Sequence, residues 1–171
     1  RQFASNFIEK HNILPELLAA KSWDSSQNIV IYDESIYRPN QHQWVRDVSF
    51  PLKPKPSPQE AYKKYKEIVS ISVSKETGMI TLSVEHLSPY VAEKWVTWLI
   101  QDINTVMKKR ELNSSQKNIE FLKEQVMQTN VSEMHAVLYK LIEEQTKTIM
   151  FSNAREEFVF TTIDPAIVPE E

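Results

Sequence analysis

The chain has 171 residues, a net charge of −3 and no cysteine, which excludes thiol catalysis, disulfides and thiolate metal sites. Its single glycine, Gly78, excludes a phosphate-cradling loop or a dinucleotide-binding turn, since both need several glycines. An apolar fraction of 41% suits a folded domain, and no basic run is dense enough for nucleic acid; Lys108-Lys109-Arg110 is the longest.

In chain order, residues 2–12 read as a helix with Phe3, Phe7 and Ile8 on one face. Pro15 suits the first turn of a second short helix, Glu16 to Ala20. Ser22 to Asn28 reads as a polar loop, and Ile29 to Tyr32 as a short strand or a buried turn. Residues 33–57 hold Pro39, Pro51, Pro54 and Pro56 and read as a long irregular segment, with Trp44, Val45, Val48 and Phe50 as its anchors. Its length suggests a covering or inter-subunit role.

Ser57-Pro58-Gln59-Glu60 is a helix start. The serine accepts from an orphan amide, proline occupies the first helical position, and Glu60 reaches back. The helix is predicted to run to about Val69 with Ala61, Tyr65 and Ile68 inward. A β-hairpin follows. Ile71 and Val73 alternate with serines, Lys75 to Gly78 turns the chain, and Ile80, Leu82 and Val84 alternate on the return. All five aliphatic side chains are expected on a buried face.

Ser88-Pro89 starts another helix, and no Pro or Gly follows until Pro165. Val91, Trp95, Trp98, Leu99, Ile103 and Val106 step by three and four, a stripe expected to bury both tryptophans against the sheet. From Lys108 to Asn118 the helix is polar on nearly every face. A continuous helix from Pro89 to Gln128 would span about 60 Å, more than a domain of this size, so it is expected to protrude. Thr129-Asn130 offers a break, with Asn130 as the next cap and Glu133 at the third position. The returning helix carries Met134, Leu138, Leu141, Ile142 and Ile149 and ends near Glu156. Residues 158–163 alternate as a closing strand expected to join the hairpin's sheet.

The predicted fold class is α+β: a small mixed β-sheet base with flanking helices and a long protruding helical arm. Residues 1–88 and 157–171 form the base and 89–156 the long helix and its return, as one domain. No apolar stretch reaches the ~20 residues needed to cross a bilayer. The chain opens in helical character and stops at Pro169-Glu170-Glu171, and is read as a fragment of a longer protein.

Several segments resemble Wzz-type polysaccharide co-polymerases, the chain-length determinants of O-antigen. These are Phe3 through Ile13-Leu14-Pro15 to Leu17-Leu18 and Trp23, the Pro-rich run into Ser57-Pro58, and the closing Ile163-Asp164-Pro165-Ala166 with Pro169. The strongest is Ile80-Thr81-Leu82-Ser83-Val84-Glu85-His86 followed by Ser88-Pro89, Ala92, Trp95 and the helix to Ile103-Asn104. Together they cover nearly the whole chain. The resemblance implies a periplasmic region flanked by two inner-membrane helices, a homo-oligomeric ring, action with the O-antigen polymerase on the growing polysaccharide, no enzymatic activity and no cofactor. The family carries a further stretch with sheet strands ahead of the region matching Phe3. This sequence lacks it, which implies an incomplete base sheet.

Candidate sites are weighed against plainer readings. Lys108, Arg110, Glu111, Lys117 and Glu120 are the candidate oligomer or partner surface, because a polar helix gains little from propensity alone and needs packing to persist. The plainer reading is a solvated face. Trp23 and Trp44, in loop-like regions, are candidates for glycan or inter-subunit contact, against simple loop anchoring. Trp95 and Trp98 read as core. His11, His42, His86 and His135 are too dispersed for a metal site, and His86, between strand and helix, is expected to satisfy backbone groups. Glu143-Glu144 and Glu120 with Glu124 read as solvated carboxylates. The alternatives to chain-length regulation are a co-polymerase carrying a cytoplasmic tyrosine kinase, and a direct glycan-binding module.

Overall fold

A computed structural model describes residues 1–155 and 157–168. The chain is α+β, and it divides into two compact units. The first is Arg1–Leu99 joined by the tail from Pro165; the second is Ile100–Asp164. The boundary runs through a helix, between Leu99 and Ile100.

The first unit opens with α1 (Gln2–Lys10) and α2 (Leu14–Ala19), with proline in the first turn of α2. The segment expected to be a polar loop is partly a strand. β1 (Ala20–Asp24) pairs antiparallel with β2 (Ile29–Tyr32), and only the tip between them turns. Asp24 makes that tip by accepting from the Ser26 amide and hydroxyl at 2.9 and 2.6 Å, the side chain closing a turn the backbone would otherwise close. The irregular stretch after it holds a second small hairpin, β3 (Tyr37–Arg38) with β4 (Gln43–Trp44), around a 3-10 turn at Pro39–Gln41. Trp44 anchors as expected, with its ring 4.9 Å from that of Tyr37. Phe50 does not; it is 97% exposed.

What fastens the Pro-rich segment is charge. Arg46 Nε and Nη2 donate to the Pro54 and Lys53 carbonyls at 2.7 and 2.9 Å, while Nη1 donates to Glu60 Oε1 at 2.6 Å. Glu60 belongs to the start of α3 (Pro58–Ile68), where the reciprocal cap read from the sequence is present. Glu60 N donates to Ser57 Oγ at 3.3 Å and Ser57 N to Glu60 Oε2 at 2.9 Å. Hydrogen bonds from Arg46 and then the Ser57 amide hold the Glu60 carboxyl down at about 2.

The expected hairpin is present as β5 (Val69–Val73) and β6 (Ile80–Val84), with Ile71 opposite Leu82 and Val73 opposite Ile80. Gly78 takes φ +69° in its turn. The five aliphatic side chains do share a face, but the face is not all buried. Leu82 and Val84 pack on the core, whereas Ile71, Val73 and Ile80 are 64%, 61% and 48% exposed. Alternation fixes which way a side chain points; it does not supply a layer to cover it. The base is accordingly three separate two-stranded antiparallel sheets among the described residues, not one mixed sheet.

The core lies where helices meet. Phe7, Ile8, Ile13, Leu17 and Ala61 close around Trp95 and Leu99 of α4 (Pro89–Gln128), both essentially fully buried. The tryptophan expected against the sheet thus packs chiefly among α1, α2 and α3. Trp98 is half-buried, with His11 stacked on it at 4.1 Å.

The second unit is the remainder of α4 and its return, α5 (Ser132–Ala154). α4 is unbroken for 40 residues, about 60 Å at 1.5 Å per residue. Its break is at the expected place, but Asn130 does not cap α5. Val131 occupies the cap without a side-chain bond, and His135 Nε2 donates to the Thr129 carbonyl at 2.9 Å. The closing strand is absent: residues 157–163 form no ladder. Asn104 meets their polar groups instead. Its Oδ1 accepts from Val159 N and Phe160 N at 2.8 and 3.0 Å, and its Nδ2 donates to Phe160 O at 3.1 Å. One buried amide does for this segment what a strand partner would do. The expected end near Glu156 lies outside the described residues, as does Pro169.

Candidate functional site

The candidate surface on the second unit divides on inspection. Arg110, Glu111, Lys117 and Glu120 are exposed on α4. Lys108 is not part of that free surface. Its ammonium donates to the Arg155 and Asn153 carbonyls at 3.0 and 3.5 Å, at the C-terminal end of α5, where carbonyls lack helical partners and the dipole is negative. The inter-helix register is also marked by Asn118 Nδ2, which donates to Gln145 Oε1 at 3.2 Å.

Ser115 on α4 and Ser152 on α5 are buried, at 1% and 2% exposed. Leu138 is buried on the same return helix, with Ile142 and Ile149 half-buried; Met134 and Leu141, expected on that side, are 49% and 40% exposed. Two helices have too little mutual surface to cover every apolar residue they carry.

A groove of about 680 Å³ runs beside the first turns of this unit, lined by Gln101, Asn104, Thr105, Lys108, Leu112 and Glu157 among others. It presents amide, hydroxyl and ammonium groups with one carboxylate, Glu157, which accepts from the Thr162 hydroxyl at 3.1 Å. The Glu143 carboxyl pairs with Lys147 at 2.6 Å on an exposed face, and that hydrogen bond holds it below the usual carboxylate range. Glu143 and Glu144 are both exposed, as are Glu120 and Glu124.

In the first unit, Trp23 lies on β1, not in a loop. It is half-buried, donates its indole N–H to Asn28 Oδ1 at 3.0 Å and has the Tyr90 ring 6.0 Å away. Trp44 is half-buried against Tyr37. Both are occupied as anchors, and each keeps part of its surface open to solvent.

His86 does what its position suggested. The Ser88 N–H can only donate, so Nδ1 accepts it at 3.1 Å; the Glu16 carbonyl can only accept, so Nε2 carries the proton and donates at 3.2 Å. The tautomer follows from its partners. The Glu16 carboxylate in turn accepts from the Trp95 indole N–H at 3.2 Å, so two residues of distant elements meet on Glu16. His42 Nδ1 pairs with the Tyr37 hydroxyl at 3.1 Å. No group of three or more metal-ligating side chains gathers among the described residues.

Sequence reasoning missed Asn104, the side chain that organises the segment after α5. The available signal was an amide beside the apolar stripe, next to Ile103, in a helix interior where amides are not favoured. It also missed Ser115 and Ser152, whose burial needs knowledge of the partner helix.

No protein-family model matches the chain, and neither the curated proteins nor the solved structures yield a significant match.

Proposed function

We propose that the chain is the periplasmic part of a Wzz-type polysaccharide co-polymerase of the bacterial inner membrane, a non-enzymatic regulator of O-antigen chain length. The observation that carries this reading is α4: one helix of 40 residues without a break, starting at Ser88-Pro89 directly after the strand that bears the strongest resemblance, and returning as α5. A pair of long helices offers length and side surface, which suits a part that lines up against copies of itself and against a polymerase.

In this reading copies assemble as a ring through which the polymerase and the growing polysaccharide are organised, and the exposed charges Arg110, Glu111, Lys117 and Glu120 tune that assembly. The parent protein is held by a membrane helix on either side of this region. Among the described residues no helix is long and apolar enough to cross a membrane.

The test is a lipopolysaccharide ladder from cells in which the parent gene is deleted and then restored with wild type or with charge-reversal variants at Arg110, Glu111, Lys117 and Glu120. Deletion is expected to abolish the preferred length while polymer persists, and the reversals to shift the mode. A deletion strain with an unchanged ladder would refute the proposal.

A further inference from the structure

We propose that the turn carrying Phe50 is a membrane-surface anchor: Phe50 and Leu52 enter the interface of an anionic lipid bilayer while Lys53 and Lys55 meet its headgroups. The inference does not rest on the chain-length reading, so either can fail without the other.

Three observations carry it. The first is what the turn displays. Leu52 N donates to Ser49 O at 3.0 Å, which makes Phe50 and Pro51 the two central residues of a tight turn. Phe50 is 97% exposed and Leu52 48%. A scattered exposed aliphatic side chain needs no explanation. Here three apolar residues stand together at a tip, and the aromatic one leaves almost all of its surface in solvent.

The second is that the display is held. Pro51, Pro54 and Pro56 each fix a φ within residues 51–56. Behind the tip, Arg46 donates to the Lys53 and Pro54 carbonyls and to Glu60 at the start of α3, and Pro56 is buried. The Phe50 ring therefore projects from a stiff support, and little further ordering is needed when it inserts.

The third is charge together with size. Lys53 and Lys55 are exposed, and neither joins an ion pair among the described residues, whereas the Arg46 charge is answered by Glu60. Residues 45–57 hold one carboxylate, Asp47, ahead of the turn. Two cations on long stems directly behind an apolar tip suit an anionic bilayer, where the stems lie along the acyl boundary and the ammonium groups reach the phosphates. Size argues against a protein partner. A stable protein interface takes roughly 800 Å² from each side with matched shape. Two side chains supply a small part of that. A lipid surface demands no matched shape, and an anchor this small gives weak, reversible binding.

The test uses the absence of native cysteine. The intact chain carrying S49C is labelled with an environment-sensitive fluorophore, which leaves Phe50 in place and sets the probe beside it. Vesicles of phosphatidylglycerol and phosphatidylcholine are expected to shift the emission to the blue and to shield the probe from aqueous iodide. Phosphatidylcholine alone is expected to bind about tenfold more weakly. Adding F50S is expected to weaken binding to the mixed vesicles about tenfold, and K53E with K55E by more than about tenfold. Neither set of changes should alter the far-ultraviolet spectrum, because all three side chains are exposed. The same label at E76C, in the turn between β5 and β6, should not respond. No shift with the mixed vesicles, a shift that F50S leaves unchanged, or an equal response at position 76 would each overturn the proposal. So would a shift that appears with rising protein concentration in the absence of lipid, which would make the tip a contact between copies.

Discussion

α4 is one helix living under two regimes. In its first three turns Trp95 and Leu99 are buried among Phe7, Ile13 and Leu17, and the helix is held by apolar area. Beyond Leu99 its buried positions are Asp102, Asn104 and Ser115, and it is held by specific polar contacts such as those of Lys108 and Asn118 with α5. Burial of apolar surface is worth more per residue but is indifferent to detail; amide and hydroxyl contacts are worth less and fix a register. A single unbroken helix can therefore be anchored firmly at one end and aligned at the other without any change in its backbone.

Substitutions can break or sharpen that contrast. Trp95→Ala should have the largest effect, about 3–5 kcal/mol in chemical denaturation, because it opens a cavity. It also leaves the Glu16 carboxylate without its indole donor. Trp95→Phe separates the two losses by keeping most of the packing. A destabilisation below that of an exposed helix substitution would show that the core is not where α4 is held.

On the polar side, Asn104→Ala should cost about 1–3 kcal/mol, the range for stranding buried backbone groups. Hydrogen exchange at Val159 and Phe160 should rise sharply while exchange in α1 stays unchanged. Ser115→Leu should cost about 1–3 kcal/mol by overpacking a buried position, whereas Ser115→Ala should be close to neutral; equal effects would show that the space around Ser115 is not tight.

A pH titration reads a smaller effect in the first unit. The folded Glu60 carboxyl sits at about 2, below its ordinary 4.5, so its contribution is complete above pH 4.5 and declines as pH falls from there toward 2. Glu60→Gln should flatten that part of the stability curve. The smallest change belongs to Glu143→Gln: the pair with Lys147 is fully exposed, and no resolvable shift in the unfolding midpoint is expected.

These contrasts also explain what the sequence could and could not tell. The capping box at Ser57 and Glu60, the start at Ser88-Pro89 and the continuity of α4 were legible because each is decided by a few adjacent residues. The five aliphatic side chains of the hairpin were assigned the right face and, for Ile71, Val73 and Ile80, the wrong environment, since nothing local encodes whether another layer arrives. Residues 158–163 alternate like a strand, but a strand also needs an edge to join, and Asn104 reaches these amides first. Of the candidate surface, Lys108 alone proved to be engaged in holding α5. A lysine bound to carbonyls at a helix end reads identically to a solvated one until the second helix is placed.

His86 sits where β6 hands over to α4, and its ring spans a gap that no shorter polar side chain can span. Asparagine would put an amide near the Nδ1 position and still meet Ser88, but would fall short of Glu16. Glutamine would reach the Glu16 carbonyl and abandon the Ser88 N–H. Because the imidazole presents an acceptor and a donor on opposite sides of one rigid plane, this junction admits no conservative replacement, and the two half-mimics dissect it into its two tethers.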